Sequence, residues 1–394
     1  MHRSSPISWT LGLVGVLTVA CSDGATSAPA PSGDAGAADA PGVTADAPGA
    51  DAGPTGLPVL GRGTHRADAV QVRVIATGEH TLATPRDVAF NPESPRELWV
   101  ANYGDSSMTI LRNAGAADQD FDNRAGPQHT HFMSHVSCLA FGAPGMLATA
   151  HEEDQPTQGP PPRGTPGDFM GPTLWLSGYD DFDGGHASHI DMLHNSPNAQ
   201  GIAWESANIY WVVDGYHRSL TRYDFRTPHE PGGTDHSGAV VQRFAEGEVS
   251  YVEGVSGHIE FDHDANRVYF ADPGNHRIGA LDPSTARSTT SISPNYDGST
   301  QRRMMGAETT TLFDGAPVGM MAPSGLALSG GRLFVSDSAT SRIYAISLEG
   351  QVIDWVDLSG TVSAGGLQGL TLDAEGRIYV VDSVGDRLLE VSAL

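Results

Sequence analysis

A short pattern of apolar and polar residues recurs along the chain from residue 68 onward. Each copy has a short apolar stretch, a small turn, and a second apolar stretch that ends in a polar residue, followed by a polar loop. Stretches of this length separated by turn residues predict antiparallel strand pairs joined by hairpins. The six copies begin at Asp87, Cys138, Gly201, His258, Gly325 and Gly369.

The spacing of the copies indicates how the strand pairs are organised. The polar residues that end the second stretch are Asn102, His151, Asp214, Asp272, Asp337 and Asp382, so the steps are 49, 63, 58, 65 and 45 residues. Regular units at irregular distances are typical of propeller blades, whose inner strands repeat while the outer strands and loops vary. In three copies an arginine follows the aspartate by five positions, which predicts a pair across the blade.

One of these segments, Asp-Pro-Gly-Asn-His-Arg-Ile at 272–278, resembles the repeats of NHL-type β-propellers, and the resemblance covers residues 70–394. It implies an all-β fold, a six-bladed β-propeller. An extra apolar stretch at 70–75 precedes the first copy, and the sixth copy has three predicted strands, the third at 388–392. Pairing the extra stretch with that strand would close the ring and leave no open strand edge. We therefore predict a propeller over 67–394, closed by an N-terminal strand in the last blade.

The first twenty residues are typical of a secretory signal peptide, because Arg3 precedes an apolar stretch that is short for a membrane span. At its end, Ala20-Cys21 resembles a bacterial lipobox, which implies a lipid on Cys21 and an anchor in the bacterial cell envelope. The alternative is an ordinary signal peptide cut near Ala20. Residues 22–56 contain almost only Ala, Gly, Pro, Asp, Ser and Thr, so we predict a disordered linker over 21–66.

Composition excludes several kinds of chemistry. All 22 basic residues are arginine, and 47 acidic residues give a net charge of −25. A chain without lysine has neither a Schiff-base lysine nor a P-loop lysine. A protein with this negative charge is not expected to bind nucleic acid, because binding to the phosphates requires clustered basic side chains. We expect a monomer that contacts the membrane through its lipid only, with Cys138 buried and without a disulfide partner.

In a propeller the first strand of each blade lines the central channel, so the residues just before each copy should surround one end of it. Five of these positions carry polar side chains, Arg86, Ser137, Gln200, Ser324 and Gln368, and the sixth is Gly257. We predict that the five line the channel. These side chains either bind a ligand or contact the water of a solvent-filled channel.

Histidine is abundant, with 16 copies in the chain, and many fall near blades 2 to 4. The blade geometry predicts that five of them approach the channel mouth: His131, His135, His151, His194 and His258. Imidazoles beside carboxylates such as Glu152 and Glu153 suit Zn²⁺, Cu²⁺ or Fe²⁺. The alternative is a set of solvated loop histidines, because their spacing also arises by chance in a His-rich chain.

Two further features are ambiguous. Asp180, Asp181 and Asp183 precede a Gly-Gly turn, a composition that suits Ca²⁺ but lacks the EF-hand pattern, so the alternative is a solvated acidic turn. The long insertion at 155–172 follows His151 and is predicted to form either a lid over the channel mouth or a plain surface excursion.

Two functions remain open. The first is a binding platform for a protein, peptide or glycan at the cell envelope, which suits a fold that hosts many functions. The second is a metal-dependent hydrolase or lyase, because Pro323-Ser324-Gly325-Leu326-Ala327 with Asp337-Ser338 is similar to SMP-30-type lactonases and gluconolactonases. That family's metal-binding asparagine is Ser324 here. The metal-binding histidines of NHL-type amidating lyases are also missing at the six corresponding positions, so neither ligand set carries over.

Overall fold

The computed structural model describes residues 56–125, 131–154 and 169–394. The predicted signal peptide, Cys21, the linker up to residue 55 and insertion residues 155–168 lie outside the described residues. Within them the protein is all-β, with 26 strands, no α-helix and six short 3-10 helices: Pro58–Leu60, Ala67–Ala69, Gly78–His80, Pro273–Asn275, Pro283–Thr285 and Ala316–Val318. None of the described helices is long and apolar enough to span a bilayer.

The strands form six sheets, the blades of a propeller. Strand β1 (Val70–Ala76) precedes blade 1, which comprises β2 (Pro85–Phe90), β3 (Glu97–Asn102), β4 (Ser107–Arg112) and β5 (Asp120–Ala125). Blade 2 comprises β6 (Val136–Phe141), β7 (Met146–His151), β8 (Thr173–Leu176) and β9 (His189–Met192). Blade 3 starts with β10 (Ala199–Ser206), β11 (Ile209–Asp214), β12 (Ser219–Asp224) and β13 (Val240–Phe244).

The second half of the chain builds the other three blades. Blade 4 comprises β14 (Ile259–Asp262), β15 (Arg267–Asp272), β16 (Arg277–Leu281) and, after β17 (Arg287–Ser291) and β18 (Thr300–Met305), β19 (Thr310–Asp314). Blade 5 comprises β20 (Pro323–Ser329), β21 (Arg332–Asp337), β22 (Arg342–Ser347) and β23 (Val352–Asp357). Blade 6 comprises β24 (Leu367–Leu372), β25 (Ile378–Asp382) and β26 (Arg387–Ala393). All six predicted strand pairs are confirmed.

The ring closes as the sequence predicts. Strand β1 pairs antiparallel with β26, with Val70 opposite Ala393 and Val74 opposite Leu389, and supplies the fourth strand of blade 6. Blade 3 holds a feature that the sequence did not reveal. The β17–β18 hairpin leaves blade 4 and adds two strands to the outer edge of blade 3, where β18 runs parallel to β13. This hairpin accounts for the longest step between repeats.

The core is divided among the blades. The described residues contain six apolar clusters, one between each pair of adjacent blades. Trp99 and Trp175, for example, fill the cluster between blades 1 and 2, and both are fully buried. Cys138 is buried and free in the cluster between blades 2 and 3, as predicted. Burial of these side chains fixes each blade against its neighbours and so holds the inner strands around one channel.

The predicted Asp–Arg pairs form in two of three blades. Arg277 lies 2.8 Å from Asp272 and Arg387 lies 2.5 Å from Asp382. In blade 5 the prediction is wrong: Arg342 turns to Asp357 at 3.4 Å, and both oxygens of Asp337 accept from backbone N–H groups, those of Met321 at 2.7 Å and Ala322 at 3.0 Å among them.

The folded part of the chain begins earlier than residue 67. Leu60 is fully buried against blades 5 and 6, although the predicted linker extends to residue 66. The backbone N–H groups of Leu57 and Gly63 donate to one oxygen of Asp354, at 2.7 and 3.1 Å. His65 stacks on Trp355 with ring centroids 4.0 Å apart. Residues 57–66 therefore pack onto the propeller instead of forming linker.

Candidate functional site

The upper end of the channel, where the first strand of each blade begins, is closed by one loop. We call residues 252–257, which lead into blade 4, the mouth loop. Gln200 donates to the carbonyl oxygen of Val252 at 2.8 Å, and Gln368 accepts from the backbone N–H of Ser256 at 2.8 Å. Arg86 donates to the carbonyl oxygen of Gly254. Because these three partners belong to blades 3, 6 and 1, the mouth loop lies across the channel.

Glu152, which follows the second strand of blade 2, joins this network. Its Oε1 accepts from Gln200 at 3.0 Å and from the backbone N–H of Gly254 at 2.9 Å. Its Oε2 lies 3.7 Å from Arg86, and both side chains are buried. We call this network the plug. It is not fully satisfied, because Nε of Arg86 and Oε1 of Gln200 are buried without a hydrogen-bond partner among the described residues.

The two serines among the predicted channel-lining residues have a different role. Ser137 donates to the carbonyl oxygen of Ala199 at 2.7 Å, which links blades 2 and 3. Ser324 donates to the carbonyl oxygen of Leu367 at 2.9 Å, which links blades 5 and 6. Both side chains are buried, so they join neighbouring inner strands and do not face open channel.

The five histidines predicted as metal ligands do not assemble into one site among the described residues. His131 and His194 do approach each other, with ring centroids 6.2 Å apart. Asp297 lies in the β17–β18 hairpin and is hydrogen-bonded to Nδ1 of His194. Phe169 stacks on the same ring, with centroids 3.9 Å apart. Burial lowers the pKa of His131 to about 3, so its ring is neutral.

The other three predicted ligands are held elsewhere. His151 is buried with Nδ1 bonded to the carbonyl oxygen of Gly171 at 3.0 Å, and burial lowers its pKa to about 4. His135 lies 2.8 Å from Glu153, and this hydrogen bond raises its pKa. His258 lies inside the channel, 3.6 Å from Asp87. These three imidazoles therefore have separate partners, the Gly171 carbonyl oxygen, Glu153 and Asp87, and do not contact one another through a shared site.

In the acidic turn at 180–185, Asp183 is hydrogen-bonded to neighbouring groups of the same segment. Asp183 accepts from the backbone N–H of Gly185 at 2.7 Å, and the hydroxyl of Ser188 donates to the same oxygen at 2.5 Å. This geometry is that of a turn stabilised by its own carboxylate.

At its lower end, where the first strands finish, the channel widens into a cavity of about 490 Å³, which we call the chamber. Its wall contains one large side chain from each of blades 1 to 4 and from blade 6: Phe90, Phe141, Trp204, Phe261 and Leu372. Two other lining residues, Pro92 and His263, are exposed, so the chamber is open to solvent at this end. Concave apolar pockets with a few convergent polar groups are typical of ligand sites.

Four ionisable side chains line the chamber: Asp87, His258 and Glu260 at its inner wall and His263 at its opening. Asp87 accepts from the backbone N–H groups of Val88 and Leu139, at 2.7 and 2.9 Å. The Nε2 atom of His258 is buried and has no hydrogen-bond partner among the described residues. Burial, assisted by the charge of Asp87, raises the pKa of Glu260 from 4.5 to about 8. Burial also raises the pKa of Asp87. Perturbed acids in a cavity favour a functional site.

The repeat itself carried a signal for this site. Asp87 and His258 occupy the position that is Cys138, Gly201, Gly325 or Gly369 in the other blades. Glu260 occupies the position that is alanine in four blades and threonine in one. The small residues opposite leave the necessary room: a Cβ added to Gly369 would lie 2.5 Å from Asp87 Oδ1 and 2.6 Å from His258 Cε1.

A second group of side chains, outside the channel, was also missed. Asp191, His229 and His236 offer ligand atoms that all lie within 4.8 Å of one another. They come from the outer strand of blade 2 and from the β12–β13 loop of blade 3. Neither histidine belongs to a repeated position, so no periodicity marks them.

The fold is similar to that of several solved propeller proteins. A protein of unknown function from Bacteroides thetaiotaomicron matches with a TM-score of 0.55 and 12% identity, over 83% of this chain and 76% of that one. An auxiliary nutrient binding protein from Bacteroides ovatus matches with a TM-score of 0.50 and 12% identity, over 78% and 69% of the two chains. A luciferin-regenerating enzyme matches with a TM-score of 0.50 and 13% identity, over 82% and 96%.

At these identities the similarity shows the fold alone, which is the six-bladed propeller that the repeats predict. No protein-family model matches the sequence, and no curated protein matches it significantly. The protein is therefore defined as a six-bladed β-propeller with a plugged upper end and a chamber at the lower end.

Proposed function

We propose that the protein is an exported, lipid-anchored binding propeller of the bacterial cell envelope, and that its chamber binds an organic cation. The ligand group is an ammonium or guanidinium carried on an apolar body, either a small molecule or the end of a peptide. The observation that carries the proposal is the presence of Asp87, Glu260 and a hydrogen-bond-deficient His258 at the inner wall of an aromatic chamber.

The electrostatics favour a cationic ligand. Two carboxyl groups share this cavity, and after burial the repulsion from Asp87 is the next cause of the high pKa of Glu260. A bound cation would compensate the charge and allow both carboxylates to ionise. The entrance adds a second contribution, because the rings of Trp204 and His263 lie 5.3 Å apart beside the opening. Aromatic faces attract cations, indole most strongly.

The location rests on the N-terminal sequence. A signal peptide, Cys21 and an acidic, apolar-poor linker would hold the propeller away from a membrane surface. Replacing Cys21 with alanine should move the protein from the membrane fraction to the soluble fraction, and retention in the membrane would contradict the anchor. Two propellers of similar fold are named auxiliary nutrient binding proteins, which is compatible with capture of a small molecule.

The test compares four ligands that share one phenyl ring and differ in charge: benzylamine, benzyltrimethylammonium, benzyl alcohol and benzoate. Isothermal titration calorimetry should detect binding of the two cations and neither of the other two. Benzylamine binding at pH 7 should release a proton from Glu260, seen as a binding enthalpy that depends on the ionisation enthalpy of the buffer. Glu260→Gln should weaken binding at least about tenfold, the equivalent of one lost charge contact of about 1.4 kcal/mol.

Glu375→Gln is the matched control, because Glu375 is exposed on the surface with 69% of its side chain accessible. It should leave the affinity unchanged. Binding of benzyl alcohol as tight as that of benzylamine, or an unchanged affinity in Glu260→Gln, would refute the cation site.

A further inference from the structure

The second histidine group lies at the outer rim of the ring, between blades 2 and 3. Asp191 belongs to β9, the outer strand of blade 2. His229 and His236 belong to the 225–239 loop that joins β12 to β13 of blade 3. The loop is fixed against the strand, since the backbone N–H of Gly232 donates to the carbonyl oxygen of His189 at 2.9 Å.

The three side chains converge closely enough to share an ion. Their ligand atoms lie within 4.8 Å of one another, and His236 Nδ1 is 2.7 Å from Asp191 Oδ1. Two ligands at about 2.0 Å from a tetrahedral Zn²⁺ are separated by about 3.3 Å. Each separation would therefore have to change by at most about 1.5 Å for the three atoms to reach coordination distance.

His229 provides the observation that points to an ion. Its Nδ1 lies 2.7 Å from the carbonyl oxygen of Glu230, to which it donates, so its lone pair is on Nε2. This Nε2 atom is buried and has no hydrogen-bond partner among the described residues. Buried acceptors without a partner are rare in folded proteins, and an ion is one of the recognised explanations.

His189 lies beside the group and offers a further imidazole. Its ring centroid is 5.0 Å from that of His229 and 6.5 Å from that of His236. Its Nδ1 lies 2.6 Å from the carbonyl oxygen of His186, to which it donates, so Nε2 carries its lone pair. A backbone carbonyl on the far nitrogen is the usual support of a metal-binding histidine.

We propose that Asp191, His229 and His236 bind one divalent transition-metal ion, with His189 or water as the fourth ligand. Two or three imidazoles with one carboxylate suit Zn²⁺ best, whereas Ca²⁺ and Mg²⁺ prefer oxygen ligands throughout. Such an ion would bridge the outer strand of blade 2 and the long loop of blade 3. The site shares no residue with the chamber, so it is independent of the proposed function.

The test uses protein purified without a histidine tag and stripped with EDTA. Titration with Zn²⁺ should show one tight equivalent and raise the melting temperature, because an ion bound only by the folded state stabilises it. Addition of Co²⁺ should produce visible d–d absorption bands of a nitrogen- and oxygen-ligated site. His229→Ala and His236→Gln should each weaken binding by about a hundredfold and abolish the Co²⁺ bands.

His217→Gln is the matched control, because His217 Nδ1 also bonds an aspartate, Asp214, at 2.8 Å in the same blade. It should retain one equivalent of Zn²⁺. A second variant, His194→Gln, tests the other histidine pair. Absence of tight binding would overturn the proposal, and so would binding that is lost in His194→Gln but retained in His229→Ala.

Discussion

The two ends of the channel are lined by the same repeated strands, yet they have opposite character. At the upper end Glu152 bonds Gln200, pairs with Arg86 and contacts the mouth loop, although Nε of Arg86 and Oε1 of Gln200 lack a partner among the described residues. At the lower end Glu260 and His258 face a cavity and have few partners. Unpartnered polar atoms occur at both ends, so what distinguishes the ends is access: those of the upper end are enclosed, whereas the lower end opens into a cavity that a ligand can enter.

The difference arises from which repeat positions depart from the common pattern. At the mouth every blade except blade 4 supplies a polar residue, so polarity there is a property of the repeat. In the chamber only blades 1 and 4 depart from small residues, and they introduce Asp87, His258 and Glu260 into space that glycines leave open. Asymmetry within a repeat is therefore the better marker of function in this ring.

The largest effect is expected from breaking the plug. Glu152→Ala would leave Arg86, Gln200 and the N–H of Gly254 buried without their shared acceptor. We expect a loss of about 3–5 kcal/mol in the free energy of unfolding, measured by chemical denaturation, since an uncompensated buried charge is costly. Glu260→Ala in the chamber should change stability by less than about 1 kcal/mol at pH 7, because other blades hold alanine there. Equal losses in both variants would remove the contrast between the two ends.

The next effect is a pH dependence that originates in the chamber. Glu260 has a pKa of about 8 in the folded protein and an ordinary value of 4.5, so the folded state binds more protons between these values. The contribution of Glu260 to stability should therefore be greatest below about pH 4.5 and fall as the pH rises to 8, by at most about 1.4 kcal/mol per pH unit. His131 and His151, whose pKa values are lowered by burial, contribute in the opposite sense below pH 6.5, so the Glu260 contribution is measured as a difference between the wild type and a Glu260 variant. Asp87, whose pKa is also raised, acts in the same direction, while His258 and His263 face the same cavity.

Glu260→Gln should remove this contribution, so its denaturation midpoint relative to that of the wild type should rise between pH 5 and pH 8. The exposed control Glu375→Gln should keep the wild-type slope. If the pH dependence of the midpoint is the same in Glu260→Gln as in the wild type, the group that titrates is not Glu260.

The smallest effect compares two glycines, one at each end. A Cβ at Gly369 would press on Asp87 and His258, whereas a Cβ at Gly257 would find its nearest neighbour, the Ala271 carbonyl oxygen, at 3.4 Å. Gly369→Ala should cost about 1–3 kcal/mol through overpacking and weaken benzylamine binding. Gly257→Ala should stay within about 0.5 kcal/mol of the wild type. Thermal unfolding of both variants measures the difference, and equal melting temperatures would contradict it.

Much of the fold was predictable because each blade encodes its inner strands locally. The strand pairs follow from apolar stretches around a turn, and closure by β1 follows from the missing fourth strand of blade 6. The convergence of Arg86, Gln200 and Gln368 also follows from their equivalent repeat positions. The repeats do not encode the positions that the long loops take on the neighbouring blades. His229 and His236 meet Asp191 only because the 225–239 loop folds back onto blade 2.

The chamber residues show a different limit. Asp87 and Glu260 depart from the Gly and Ala of the other repeats, but the abundance of histidine predicted a site at the opposite end of the channel. Burial decides which of these residues can contact a ligand. His151 and His131 are neutral and enclosed, whereas the carboxyl groups of Asp87 and Glu260 line an open cavity. Counting a residue type does not reveal which copies keep a free lone pair.

The pairing of β1 with β26 has a consequence for how the protein folds. Val70 meets Ala393 across 323 positions of chain, whereas the other strands of blade 6 are hairpin neighbours. Individual blades form from local contacts, but the seam must wait for two distant segments to meet, and such long-range pairing is slow. Until it forms, both strands present bare edges that can recruit other chains. Closure of the seam is therefore expected to be the slow step of assembly, and a chaperone that shields these edges would act at that stage.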